Sequence, residues 1–76
     1  MEEYLGMIKL SAIPWEPEGY MFCDGRTLKI EDYQDLAAAL GNDWKRVYEE
    51  FTLPNLPSPE GTKYIICVKG YFPPRH

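Results

Sequence analysis

Seventy-six residues make one small domain, and a chain of that length buries only about 60% of the surface its unfolded form exposes, so marginal stability and help from a partner are expected. Twelve acids against eight bases, with no basic cluster larger than Lys45-Arg46, argue against nucleic-acid binding, and the 45% hydrophobic and 14% aromatic content excludes a disordered tail. Two cysteines are too few for a secreted disulfide scaffold, and the single histidine, His76, cannot complete a four-ligand zinc site with them, so neither metal nor cofactor is expected.

The N-terminal MEEYLGMIKL carries two acids where a signal peptide needs positive charge, and Lys9 interrupts its apolar run. The apolar run at 64–68 is far short of the roughly 20 residues of a membrane helix. A protein soluble where it is made is expected. YLGMIKLSAI alternates, with Ile8, Leu10 and Ala12 on one side and Met7, Lys9 and Ser11 on the other, which predicts a strand ending at Pro14. PWEPEG, with two prolines and a glycine, predicts an irregular connection from which Trp15 can pack over the core. YMFCDG alternates again and stops at Asp24-Gly25, a dipeptide suited to positive backbone dihedrals.

From Ile30 the period changes. Tyr33, Leu36, Ala37 and Leu40 fall at i, i+3, i+4 and i+7, while Glu31, Asp32, Gln34 and Asp35 take the other side, which predicts an amphipathic helix capped by Gly41. In NDWKRVYEEF the residues Trp44, Val47, Tyr48 and Phe51 repeat the stripe, predicting a short second helical segment behind Asp43. FTLPNLPSPEG holds three prolines in positions 54–59 and predicts an extended loop. KYIICVKG, nearly continuously apolar, predicts a central strand covered on both faces, and YFPPRH an extended tail over 71–76.

Candidate chemistry is sparse. A cysteine nucleophile needs a held base, and His76 is the last residue, after two prolines, so a catalytic Cys23 and His76 pair is disfavoured against a small buried cysteine followed by a turn. A disulfide between Cys23 and Cys67 stays open if their strands are neighbours. The acids Glu2-Glu3, Glu31-Asp32 and Glu49-Glu50 are sequence neighbours that solvate a surface rather than face each other, and the six glycines are scattered, so no phosphate-binding loop exists. No catalytic residue is assigned, and a hydrolase is the least favoured reading.

The order of the pieces resembles the phage tail collar domain family, found in short tail fibres and in bacterial microcystin-dependent proteins. The likeness rests on PEGYMFCDGRTLKI, then YQDLAAALG, then FTLPNL, behind the opening YLGMIKLSAI, and it spans most of the chain. Cys23, Asp24 and Gly25 of the first motif and Leu53, Pro54 and Asn55 of the last are the positions that carry it, as structural motif residues. Two departures stand out: NDWKRVYEEF replaces the glycine-rich stretch usual after Leu-Gly, and PSPEG stands where family members continue with an Arg-Gly segment and the large receptor-binding insertion.

The resemblance implies a non-enzymatic structural or interaction subunit of a phage tail, tail fibre or related particle. Its partners would be other particle proteins or further copies, a trimer included, with assembly in the host cytoplasm and final residence in the virion. A free-standing bacterial cytosolic regulatory or inhibitory protein is the alternative. The predicted fold is a small α+β domain over residues 1–76, a sheet of three to four strands packed by one main helix with a short second helical segment. The aromatics Trp15, Trp44, Tyr48, Tyr71 and Phe72 exceed what so small a core absorbs and are the candidate partner contacts, unless Trp15 and Trp44 close the two ends of the core.

Overall fold

The computed structural model describes residues 3–74. Among them the chain forms five short strands, β1 (Ile8–Ser11), β2 (Tyr20–Phe22), β3 (Thr27–Lys29), β4 (Glu50–Thr52) and β5 (Lys63–Cys67), with a 3-10 turn at Ile30–Asp32 and one helix, α1 (Gln34–Ala39). The strands build two antiparallel sheets, one of order β1-β5-β2 and one pairing β3 with β4.

The continuous apolar run of β5 is explained by its place. It is the central strand, with Ile66 opposite both Ile8 and Met21 and Ile65 opposite both Lys9 and Phe22, and Ile65, Ile66, Cys67 and Val68 are all buried. A strand covered on both faces has no solvent side to mark with polar residues. In the second sheet Leu28 faces Phe51 while Thr27, Lys29, Glu50 and Thr52 point outward, the period-2 pattern of a sheet with one wet face. The core gathers Leu5, Cys23, Ile30, Leu36, Ala37, Phe51, Leu53, Ile66 and Val68, so both sheets and the helix contribute.

The α+β expectation is overturned. The architecture is two small antiparallel sheets with a six-residue helix, not a sheet packed by a main helix. The predicted helix from Ile30 breaks at Tyr33, whose φ of −140° and ψ of 49° lie outside the helical region; before it stands a single 3-10 turn closed by Tyr33 N–H donating to the Ile30 carbonyl. Its C-terminal end is as expected: Gly41 takes φ 88°, its N–H donates to Ala38 O at 3.0 Å and that of Asn42 to Ala37 O at 2.8 Å, the paired bonds of a Schellman cap.

The second helical segment does not form. Arg46 N–H donates to Asp43 O and Glu49 N–H to Arg46 O, two successive turns that deliver the chain into β4. The stripe Trp44, Val47 and Tyr48 is exposed, and a helix this short has no stability without a face to bury. Phe51, the fourth member, is buried instead as the inward residue of β4.

The two ends of the described chain meet. Leu5 N–H donates to Tyr71 O at 2.8 Å and Tyr71 N–H to Glu3 O at 2.9 Å, with Tyr4 and Tyr71 forming a parallel bridge. Tyr71 is therefore part of the fold, and the tail departs only after it. A Cβ at Gly70 would collide with the backbone of Glu3, so the close approach of the two segments depends on this glycine.

Candidate interaction surfaces around a locked turn

Phe22 ends β2, and Cys23 carries the ladder one step further by donating its N–H to Tyr64 O at 2.9 Å. Asp24 then turns the chain: its Oδ1 accepts the Arg26 N–H at 3.1 Å, while Arg26 Nε and Nη2 donate to its two carboxylate oxygens, both at 3.0 Å. Gly25 sits between them with φ 80°, a left-handed conformation that glycine adopts without strain. From the loop before β2, Glu16 Oε2 accepts both the Phe22 N–H and Arg26 Nη2, each at 2.7 Å.

The second motif locks onto this turn. Gly25 N–H donates to Pro54 O at 3.2 Å, Leu53 N–H to Arg26 O at 2.9 Å, and Leu56 N–H to Cys23 O at 3.0 Å, with Asp24 bridged to Asn55. Cys23, Asp24 and Gly25 and Leu53, Pro54 and Asn55, distant in sequence, are thus one hydrogen-bonded unit. Its side chains are spent on structure. The Arg26 guanidinium holds the Asp24 carboxyl below the usual carboxylate range, and Asp24 and Glu16 together hold the guanidinium charged.

Burial raises the pKa of the Cys23 thiol, helped by the Asp24 charge, and burial raises that of Cys67 as well, which is the opposite of what an activated thiol needs. The two cysteines are free and buried. Cys67 lies opposite Tyr20, three positions along the ladder from Tyr64 and Cys23, a separation of roughly 10 Å along the strand; Cα atoms of a disulfide lie closer than about 7 Å. Neighbouring strands therefore do not make them a pair. His76 lies outside the described residues. Among the described residues no cluster of His, Cys, Asp and Glu could hold a metal, and no helix is long and apolar enough to cross a membrane.

The five candidate contact aromatics are all exposed. Trp15, 66% exposed on the connection between β1 and β2, does not close the core. Trp44 and Phe72 come together: both line a cleft of about 380 Å³ with Gln34, Asp35, Ala38, Gly41 and Asn42, and Gln34 Nε2 donates to Trp44 O at 3.2 Å, tying the loop after the helix back to α1. Tyr48, at 81% the most exposed, stands apart beside Val47 over a second depression. Tyr71 lies beside Tyr4 at the joined ends.

Sequence reasoning missed part of this surface. Tyr4, Met7, Ile8, Leu10 and Ile13 are also exposed. Ile8 and Leu10 point to the core side of the sheet, opposite Ile66 and Tyr64, but β1 is an edge strand and little covers them. The alternation of β1 gave its two faces, not its position at an edge.

The family model of the phage tail collar domain matches residues 6–58. The chain belongs to the phage tail collar domain family. No curated protein and no solved structure matches it. The match takes in both halves of the locked turn, the helix and β1 to β4, so the hydrogen-bonded unit around Gly25 and Pro54 lies within it. It ends before β5, the strand that completes the first sheet, and before Tyr71 and Phe72. The collar domain is a structural domain family of phage tail fibres.

Proposed function

We propose that this collar protein is a non-enzymatic structural subunit of a phage tail, tail fibre or related particle, resident in the virion and acting by protein-protein contact. The observation that supports this reading best is the division of labour in the chain. The turn that joins Asp24 and Gly25 to Pro54 and Asn55 uses its acid, its base and its backbone groups on itself, whereas large apolar side chains stand outward on the loops and on edge strand β1.

A rigid frame that presents unburied aromatics is suited to docking, because exposed apolar area is what association removes from water. Aromatic side chains make efficient anchors, since they carry large area on few rotatable bonds. The contacts we assign are Trp44, Phe72, Tyr48, Tyr71 and Trp15, and the partners are other tail proteins or further copies of this chain.

The test is retention in the particle. A tagged chain expressed in the infected host should co-purify with tails or virions through a density gradient at a fixed ratio. A variant carrying Trp44→Ser and Phe72→Ser should fold by circular dichroism yet be depleted from the particle. A protein that stays wholly in the soluble host fraction would overturn the reading, and native mass spectrometry of the free chain would separate self-assembly into a trimer from docking as a monomer.

A further inference from the structure

We propose that the cleft between α1 and the C-terminal segment is a receptor for an arginine side chain borne by an extended segment of a partner protein. Trp44 and Phe72 line it together with Ala38 and Gly41, and Asp35 is the one carboxylate among its lining residues. This is the constellation that suits a guanidinium: aromatic rings attract a cation through their quadrupole, and a carboxylate accepts two parallel N–H bonds from it.

Charge complementarity selects the occupant. Among the described residues the ion pairs use Glu3, Glu16, Asp24, Asp43 and Glu49, and Asp35 has no cationic partner. A second depression continues the cleft through Gln34 and Asp35 to Glu31 and Asp32, which are likewise unpaired, with Lys69 as its single base. An acidic track thus leads away from an aromatic slot. The Trp44 ring already draws a cation, the Lys45 ammonium lying 5.7 Å from its centroid. Arginine is favoured over lysine because a planar guanidinium stacks on a ring while binding a carboxylate, whereas an ammonium is a compact and strongly hydrated charge.

The slot is also held open by structure independent of any ligand. Gln34 fixes the Trp44 backbone, the paired cap bonds fix Gly41 and Asn42, and the backbone bonds of Tyr71 to Glu3 and Leu5 fix the root of the Phe72 wall. Such preorganisation lowers the ordering cost of docking.

This proposal rests on the reading above only in taking the partner to be a protein, and its test needs no particle. The ¹⁵N-labelled chain is titrated with an acetylated and amidated Gly-Arg-Gly-Arg-Gly peptide at low salt, with the Lys and Glu analogues as comparators. Saturable shifts are expected at the Trp44 indole N–H and the Gly41 and Asn42 amides, larger for the Arg peptide than for the Lys peptide, absent for the Glu peptide, and shrinking as salt is raised. Asp35→Asn and Trp44→Leu should each weaken binding about threefold to fivefold, as expected for an exposed charge pair and a cation over a ring, and Asp35→Glu should restore it.

Equal response to all three peptides, or shifts confined to β1, would overturn the assignment, as would a Kd unchanged by Asp35→Asn. Binding seen only after Arg75→Ala would overturn the partner assignment too, because it would mean that the chain's own terminus fills the slot. Peptide binding without retention in particles would leave the slot standing and remove the tail function.

Discussion

Gly25 is where segments 23–25 and 53–55 touch, and replacing it tests whether that contact holds the domain together. Two separate penalties are expected. Its φ of 80° costs a residue with a Cβ about 1–2 kcal/mol, and a Cβ built there falls 3.2 Å from Asn55 Cβ, so Asn55 must move. Moving it strains the bond from Gly25 N–H to Pro54 O, whose loss is worth about 0.5–1.5 kcal/mol. Gly25→Ala should therefore destabilise by about 2–3 kcal/mol, and Gly25→Val, with a branched Cβ, by about 3–4 kcal/mol. For a domain of this length those values correspond to a fall in Tm of roughly 10–25 °C.

Gly41 supplies the internal control. It has a similar φ of 88° but nothing within 4 Å of a built Cβ, so Gly41→Ala carries the backbone term alone, about 1–2 kcal/mol. Reversible thermal melts followed by far-UV circular dichroism should place Gly25→Ala below Gly41→Ala. Adding Asn55→Gly, which removes the Cβ that is struck, should recover part of the difference in the Gly25→Ala background and none in the Gly41→Ala background. Equal melting of the two alanine variants would refute the claim that the motifs are locked by contact, and a Gly25→Val protein within about 2 °C of the parent would refute the turn itself.

Both thiols should alkylate slowly with iodoacetamide in the native protein at neutral pH and rapidly in guanidinium, since burial hides them and raises their pKa; rapid native labelling of Cys23 would mean that the turn opens or that the thiol is activated. The pKa of Asp24 is lower folded than unfolded because of Arg26, so its stabilising effect is present at neutral pH and is lost as pH falls below about 4 through the folded value. Melts from pH 6 to pH 2.5 should show Asp24→Asn with a shallower acid limb, the two curves converging at the low end; parallel curves would remove Asp24 from the acid response. The effect should be small, because the carboxylate is half exposed. Gly70→Ala should part the joined ends, read as faster hydrogen exchange at the Leu5 and Tyr71 amides, and unchanged protection there would show that the pairing tolerates a side chain.

What the sequence disclosed follows from how each signal is made. The run at 64–68 could be assigned to a central strand because burial on both faces removes polar residues, and the structure places β5 between β1 and β2. The Asp-Gly turn and the Gly41 cap were legible because each needs a backbone conformation that few residues supply. By contrast β3 and β4 are three residues each, shorter than one readable alternation, and their pairing of Leu28 with Phe51 is a relation between distant positions that no local window contains. The stripe at 44–51 misled for a related reason. Helical spacing describes a possible face, but only a neighbouring surface makes it a helix, and here the core accepts Phe51 from a strand and leaves Trp44, Val47 and Tyr48 outside.

That failure bears directly on function. Had the stripe been buried as a helix, its aromatics would have been ordinary core. The core is instead closed by Phe51, Leu53 and the two-motif turn, so Trp44 and Tyr48 are in excess of what the fold requires. Gln34 holds the Trp44 backbone against the helix beside Phe72, although Trp44 itself contributes nothing to the buried core. An apolar side chain left on the surface adds little burial energy to the fold, and Trp44, though Lys45 lies over its ring, stays 47% exposed. The frame is closed on itself through Gly25 and Pro54, and the docking role proposed above is what its exposed aromatics would add to it.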